Sequence, residues 1–303
     1  MDTSQKHPQL KRSGDGQDGQ SERPVACITG ASSGFGLLMA LELAKAGYRV
    51  IATMRDTANN GLLLRRAEEA GVAERIDCLP LDVTDHPACE ETIAHIRSAY
   101  GRIDVLVNNA GMAIGGSIEE IPMEEWKRQM DVNVFGLIAM TRAALPVMRE
   151  QRRGTIINIG SVSGRVGFPG YGPYAASKFA VEGFSESLRL EMLPFGVHVV
   201  LVEPGAYRTD IWSKGFDHMT ARFREDSPYA RFLGAVLRYS RNVARTAGEP
   251  QDVARAVVRI AGSRYPRLRY PLGRGAALSI AGKTLLPWKW FERLLLRELE
   301  KGD

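Results

Sequence analysis

The chain has 303 residues, 44% hydrophobic and 25% charged, a composition that excludes a disordered or fibrous polymer and allows a core large enough to need no staple. Its three cysteines, Cys27, Cys78 and Cys89, and its five histidines show no metal-ligand spacing, so no metal is expected; Cys27 and Cys78, in apolar strand-like runs, read as small buried hydrophobes, which suits a reducing compartment. The net charge is +5, but from Arg222 onward 17 Lys and Arg stand against 8 Asp and Glu; these cations alternate with Leu, Trp and Phe rather than forming a reading head, which argues against nucleic acid and for a solvated face or anionic lipid.

Met1 to Arg23 is polar, rich in Gly, Gln and Ser, and lacks the apolar centre of a signal peptide. It is expected to be a disordered tail. No run of about eighteen apolar residues is seen, so no spanning helix is expected and the setting is read as cytoplasmic. Val25 to Thr29 reads as a short buried strand. It is followed by Gly30-Ala31-Ser32-Ser33-Gly34-Phe35-Gly36 and by a helix-forming run, Leu37 to Ala46, that Gly47 stops. Strand, glycine turn and helix form a context in which glycines bring backbone close to a pyrophosphate and a helix N-terminus favours its charge. A plain tight turn fits the same residues.

Arg49 to Met54 is the second predicted strand, with Arg55 and Asp56 at its end. An arginine there suits a 2′-phosphate, and an acidic residue suits free ribose hydroxyls; the pair leaves both dinucleotides open. Gly61 to Ala70 is an amphipathic helix, Ile76 to Leu81 the third strand, ending in Asp82-Val83, and a helix runs to Tyr100. A fourth strand, Ile103 to Val107, is closed by Asn108-Asn109-Ala110-Gly111, either a turn or a close-packed surface for a flat ring. Met123 to Met148 reads as one long helix. It holds Asn133, a poor mid-helix residue whose amide requires partners if buried.

Gly154 to Lys178 is the most informative stretch. Ile156 to Ile159 is apolar on both faces, as a strand inside a parallel sheet must be. Ser161 falls just past its carboxyl end, where open α/β sheets bind ligands. Tyr174 and Lys178, four apart on a predicted helix, share a face. An ammonium near a phenol favours the phenolate, and a phenol so tuned can exchange a proton with a carbonyl or alcohol oxygen. Gly196 to Val202 is a sixth strand ending in Glu203-Pro204-Gly205, and Leu268 to Pro271 a short seventh. Tyr207 to Arg245 breaks the alternation and is read as a substrate cover. The alternation itself predicts an α/β fold, a doubly wound parallel sheet of Rossmann type in a single domain, residues 24–282.

Lys283 to Glu300 is predicted as an amphipathic helix with Pro287 near its start. Trp288, Phe291, Leu295 and Leu299 form an apolar stripe, widened by Trp290, Leu294 and Leu296, with Lys289, Arg293 and Arg297 on another face. Such a helix either docks on its own domain or a second subunit, or lies in a membrane interface.

Five motifs in order resemble the short-chain dehydrogenase/reductases: Thr29-Gly30 through Gly36, Asn108 to Gly111, Asn133, Ser161 with Tyr174-x-x-x-Lys178, and Pro204-Gly205. Gly160 departs from the pattern, because many relatives carry a second serine there. The resemblance implies that Tyr174 is the general acid/base, Lys178 lowers its pKa and holds the nicotinamide ribose, Ser161 bonds the substrate oxygen, and Asn133 positions a relay water. It further implies that Gly30, Ser32, Ser33, Gly34, Phe35 and Gly36 hold the pyrophosphate and Asp82 and Val83 the adenine. Asn109, Ala110 and Gly111 then line the adenine ribose region, and Pro204, Gly205, Tyr207 and Thr209 flank the nicotinamide. With Arg55, NADP(H) is the expected cofactor and NAD(H) the alternative. Ala52 to Asp56 and Leu268 to Tyr270 resemble the branch acting on steroids, retinoids and similar lipophilic alcohols. The implied function is carbonyl–alcohol interconversion on a lipophilic small molecule, possible alternatives being a silent NADP(H)-binding regulator or a reductase of small polar ketones; a homo-oligomer is a further option.

Overall fold

The computed structural model describes residues 23–209, 215, 218–221 and 223–300. The expected disordered tail therefore lies, but for Arg23, outside the described residues, as does part of the expected cover. Seven strands form one sheet in the order β3-β2-β1-β4-β5-β6-β7, every neighbouring pair parallel. They are β1 (Val25–Ile28), β2 (Arg49–Met54), β3 (Ile76–Pro80), β4 (Val105–Asn108), β5 (Gly154–Ile159), β6 (Val197–Pro204) and β7 (Arg269–Leu272). The order reverses between β1 and β4, and a crevice opens at that switch beyond the strands' carboxyl ends.

The inner strands are buried on both faces, which is why they read as unbroken Val/Ile runs rather than as alternating ones. On one face lie α1 (Gly34–Lys45), α2 (Gly61–Glu69) and α8 (Gln251–Ala261), whose Val253, Val257 and Ile260 return at helical spacing to pack with Met39 and Leu43 of α1. On the other face lie α3 (His86–Tyr100), α5 (Gly136–Gln151) and α6 (Gly172–Met192), which bury Ile93, Ile96, Met140, Met148 and Leu188. The fourth strand starts later than expected because Ile103 is held otherwise: its N–H donates to Gln151 Oε1 and its carbonyl accepts from Gln151 Nε2, both at 2.9 Å.

The long helix expected over Met123–Met148 is continuous, but it is not α-helical throughout. Between α4 (Met123–Met130) and α5, residues Asp131–Phe135 form a π-helical turn in which the Gly136 N–H reaches back to the Asp131 carbonyl. Such turns reaim a side chain that an α-helix would misplace, and this one carries Asn133. The whole run, Met123–Gln151, is by length and composition apolar enough to cross a membrane, a feature the sequence reading did not find. Its apolar side, Leu137, Met140, Ala144 and Met148, is buried in the domain, so it serves as a core helix.

Beyond the sheet, α7 (Ala230–Arg245) and the C-terminal pair α9 (Ala276–Leu285) and α10 (Trp288–Glu300) complete the fold. Lys283 to Leu285 belong to α9 rather than to the last helix. Leu286 is extended, with ψ 143°, because the following Pro287 disfavours the helical conformation there.

Candidate active site

The turn after β1 needs its glycines for space and for conformation. Gly30 and Gly34 sit at φ +68° and +56°. A Cβ on Gly30 would stand 2.9 Å from Ala110 Cα, and one on Gly36 2.2 Å from the Gly30 carbonyl oxygen. The turn after β4 is stitched onto it: Asn109 Nδ2 donates to the carbonyls of Thr29 and Gly30 at 2.9 Å, and the N–H groups of Asn109 and Ala110 both donate to Thr29 Oγ1 at 3.0 Å. Ser33 begins α1, yet its hydroxyl does not cap that helix. The result is a bare cradle of backbone at a helix N-terminus, which fits a pyrophosphate.

Across the crevice, Ser161 follows β5 and Tyr174 and Lys178 lie on α6. Tyr174 and Ser161 line the same cleft, and the Ser161 hydroxyl lowers the phenol's pKa. Ser161 Oγ accepts from Ser163 N–H at 3.0 Å, which orients it. Lys178, 5% exposed, donates to the Ile159 carbonyl at 2.7 Å and lies 5.7 Å from the Tyr174 ring centroid. Burial raises the phenol's pKa and the Ser161 hydroxyl opposes it, while burial pushes the Lys178 ammonium down to about 8 against the pull of the Glu182 carboxylate.

Serine, phenol and ammonium face one cleft of about 420 Å³. Every residue expected at the cofactor lines it except Gly36 and Tyr207. Gly36 is buried in the first turn of α1, where it permits close helix–strand packing. Tyr207 is 4% exposed and turns into the core: its ring meets Phe35 edge-on at 5.7 Å and packs on Gly248 and Gly273. Asn133 also stands behind the cleft wall. Its oxygen accepts from Met112 N–H (2.9 Å), and its nitrogen donates to the Met112 carbonyl (3.0 Å) and to Ser177 Oγ (3.1 Å). It thus ties the turn after β4 to α6, one residue before Lys178. Arg128, Met112, Ala113 and His218 line the cleft without having been singled out from the sequence. Met112 and Ala113 simply continue the Asn108–Gly111 turn, and Arg128 lies five residues before Asn133 on the same helix. His218 had no signal beyond its place in the expected cover.

The residues fit a dinucleotide, and comparison with known proteins decides the family. The profile described as short chain dehydrogenase matches residues 24–220. The chain belongs to the short-chain dehydrogenase family. Members are oxidoreductases acting on CH–OH groups with NAD(P), and this chain is one of them. It is 42% identical to the uncharacterized oxidoreductase YusZ of Bacillus subtilis over 91% of this chain and 99% of that one. It is 38% identical to 3-ketodihydrosphingosine reductase of Bacteroides thetaiotaomicron, covering 82% and 87%. It is also 38% identical to bovine (Bos taurus) retinol dehydrogenase 8, covering 80% and 79%. Among solved structures, a short-chain dehydrogenase from Streptomyces avermitilis matches with a TM-score of 0.76 and 36% identity over 92% and 96% of the two chains. A metagenomic short-chain oxidoreductase in complex with NADP matches at 0.65 and 28%, over 82% and 95%.

Proposed function

We propose that this enzyme is NADP(H)-dependent and interconverts a carbonyl and an alcohol on a lipophilic substrate, with Tyr174 as general acid/base. The observation that carries the reading is that Ser161, Tyr174 and Lys178 line one cleft with the glycine turn, Lys178 one helical turn from Tyr174. The bound dinucleotide supplies or accepts the hydride. Ser161 Oγ donates a hydrogen bond to the substrate oxygen, and Tyr174 Oη holds the proton which that oxygen gains on reduction. The Lys178 ammonium, already fixed on the Ile159 carbonyl, favours the phenolate left behind and would hold the nicotinamide ribose of a bound dinucleotide. Asn133 acts behind them by holding Ser177 and Met112 in place.

Preference for the 2′-phosphate rests on two neighbours with different duties. Arg55 lines the cleft. Asp56 turns instead to cap the helical turn Thr57–Asn60, accepting from Ala58 N–H at 2.9 Å and Asn59 Nδ2 at 3.1 Å. Its carboxylate is occupied there, so a guanidinium rather than an acid meets the adenine ribose. A lipophilic substrate is supported by what surrounds Tyr174. It packs at the edge of an apolar cluster built from Tyr171, Met219, Leu233, Val236, Leu237 and Leu299. Two of the relatives are named for a long-chain ketone and for retinol.

The same reading extends to the route of the substrate. Leu299 is buried against the cluster beside Tyr174, but Leu278, Leu285, Trp288 and Trp290 are more than 60% exposed. They stand among Lys289, Arg293 and Arg297, which are also exposed. A tryptophan- and leucine-bearing surface flanked by cations suits the face of an anionic bilayer. The function is tested by screening long-chain and small polar carbonyls with NADPH and NADH, read by absorbance of the reduced cofactor. Turnover of the long-chain set with NADPH is expected, and preference for small polar ketones or for NADH would refute the corresponding part.

A further inference from the structure

Two carboxylates are withdrawn from water next to Lys178. Glu182 lies one turn beyond it on α6 and Glu203 near the end of β6, 5% and 1% exposed. Glu182 Oε2 accepts from Arg269 Nε at 3.0 Å, and the same nitrogen is 3.5 Å from Glu203 Oε1. Arg165, in the turn after Ser161, donates to Glu203 Oε1 at 3.3 Å, and Arg269 also pairs with Glu186. Lys283 of α9 donates to the Arg165 carbonyl. Glu182 Oε1 is buried without a hydrogen-bond donor, 3.5 Å from where a Cβ would stand on Gly160. One guanidinium nitrogen, Arg269 Nε, therefore stands between the two buried carboxyl groups. Two carboxylates drawn together out of water disfavour each other's charge, which favours one proton between them.

Resting on the Tyr174–Lys178 reading above, we propose that Glu182 and Glu203 share one proton and act as a positioning pair that keeps the Lys178 ammonium charged while Tyr174 exchanges its proton. The pair and the ammonium hold the same two strand ends. Lys178 donates to the carbonyl of Ile159, and the next N–H, that of Gly160, donates at 2.8 Å to Val202, the residue before Glu203. Burial and the Glu203 charge push Glu182 up to about 7, and burial pushes Lys178 down to about 8. As pH rises past 7 the pair gains its second negative charge. That charge lies one turn from the ammonium, whose value of about 8 already includes its pull, so without it the ammonium would lose its proton at lower pH. The groups facing Glu182 are Glu203, Arg269, Arg165, Glu186 and Lys178, with Lys283 behind Arg165, and none of them replaces this charge.

The test compares the full-length wild type with Glu182→Gln across pH 5 to 9.5. The alkaline limb of kcat/KM for carbonyl reduction should move down by about 0.5–1 pH unit in the variant, the order expected for loss of one nearby charge. The pH at which NADPH affinity falls should move with it. Two readouts need no turnover. In the wild type, the infrared band of a protonated carboxyl should persist at pH 6 and vanish by pH 8, and Glu182→Gln should lack it. A carboxyl whose folded pKa is raised from 4.5 to about 7 binds more protons folded than unfolded in that window, so wild-type Tm should fall as pH rises through it, and the variant's Tm should fall less. Gly160→Ser, which brings a hydroxyl donor toward Glu182 Oε1, should move the band's loss to lower pH; it and Glu203→Gln serve if Glu182→Gln does not fold. Coincident wild-type and variant limbs, or no protonated band at pH 6, overturn the proposal. Absence of carbonyl turnover with the band present would instead refute the functional reading.

Discussion

On the cofactor side of the cleft the surfaces are backbone and short side chains, locked by hydrogen bonds between the turns after β1 and β4. On the other side, behind Tyr174, lies a buried cluster of large apolar rings and chains, drawn mostly from α7 with Leu299 of α10, outside the sheet. The first side is set by atoms that cannot move by an ångström. The second is set by volume and hydrophobicity, which other residues could fill equally well. A fold of this kind can therefore keep one cofactor while its substrate changes.

Changes on the two sides should differ in kind. Gly36→Ala is expected to have the largest effect, since its Cβ would stand 2.2 Å from the Gly30 carbonyl, an atom of the backbone. The loss should be about 3 kcal/mol or more, as for severe overpacking. Thermal unfolding checks it, and an unchanged Tm would show that the turn is softer than described. Next comes Arg55→Asp. A charge-assisted hydrogen bond to phosphate is worth about 1.5–3 kcal/mol, so NADPH should bind roughly 10–100-fold more weakly and NADH little differently. Equal weakening of both would remove Arg55 from the phosphate. The smallest effect is expected at the outer edge of the second side. Trp288→Ser with Trp290→Ser, both exposed, should leave Tm and kcat on a dispersed substrate unchanged but reduce co-sedimentation with anionic vesicles several-fold. If wild type and variant both stay in the supernatant at low salt, the membrane role fails; if the wild type is instead dimeric and the variant monomeric, the surface joins two subunits.

Much of this was legible in the sequence, for identifiable reasons. Strands buried on both faces announce themselves as β-branched runs, and the residues at their carboxyl ends, Gly30, Asn109, Ser161 and Pro204, are local to those runs. The Tyr174–Lys178 pair is equally local, being one helical turn. What was not legible depends on partners distant in the chain. Tyr207 was read as a nicotinamide neighbour, but Gly248 and Gly273 leave a slot for its ring that only the folded chain reveals. The π-turn at Asn133 leaves no mark in a pattern of apolar spacing. Asp56 could be separated from Arg55 only once its capping bonds were visible. The convergence of Glu182 and Glu203 on Arg269 joins a helix to two strand ends, and nothing in any of these segments foretells it. Pro287, by contrast, was visible, and its effect on Leu286 required only a stricter reading of what precedes a proline.

The central claim is that the Tyr174 phenol transfers the proton. Tyr174→Phe keeps the ring in its apolar surroundings and removes one oxygen, so NADPH affinity and Tm should stay close to wild type. Its kcat for carbonyl reduction, measured at saturating NADPH, should fall by about 10²–10⁴, the usual contribution of a positioned acid/base. A kcat within a few-fold of wild type, with cofactor binding intact, would contradict the account.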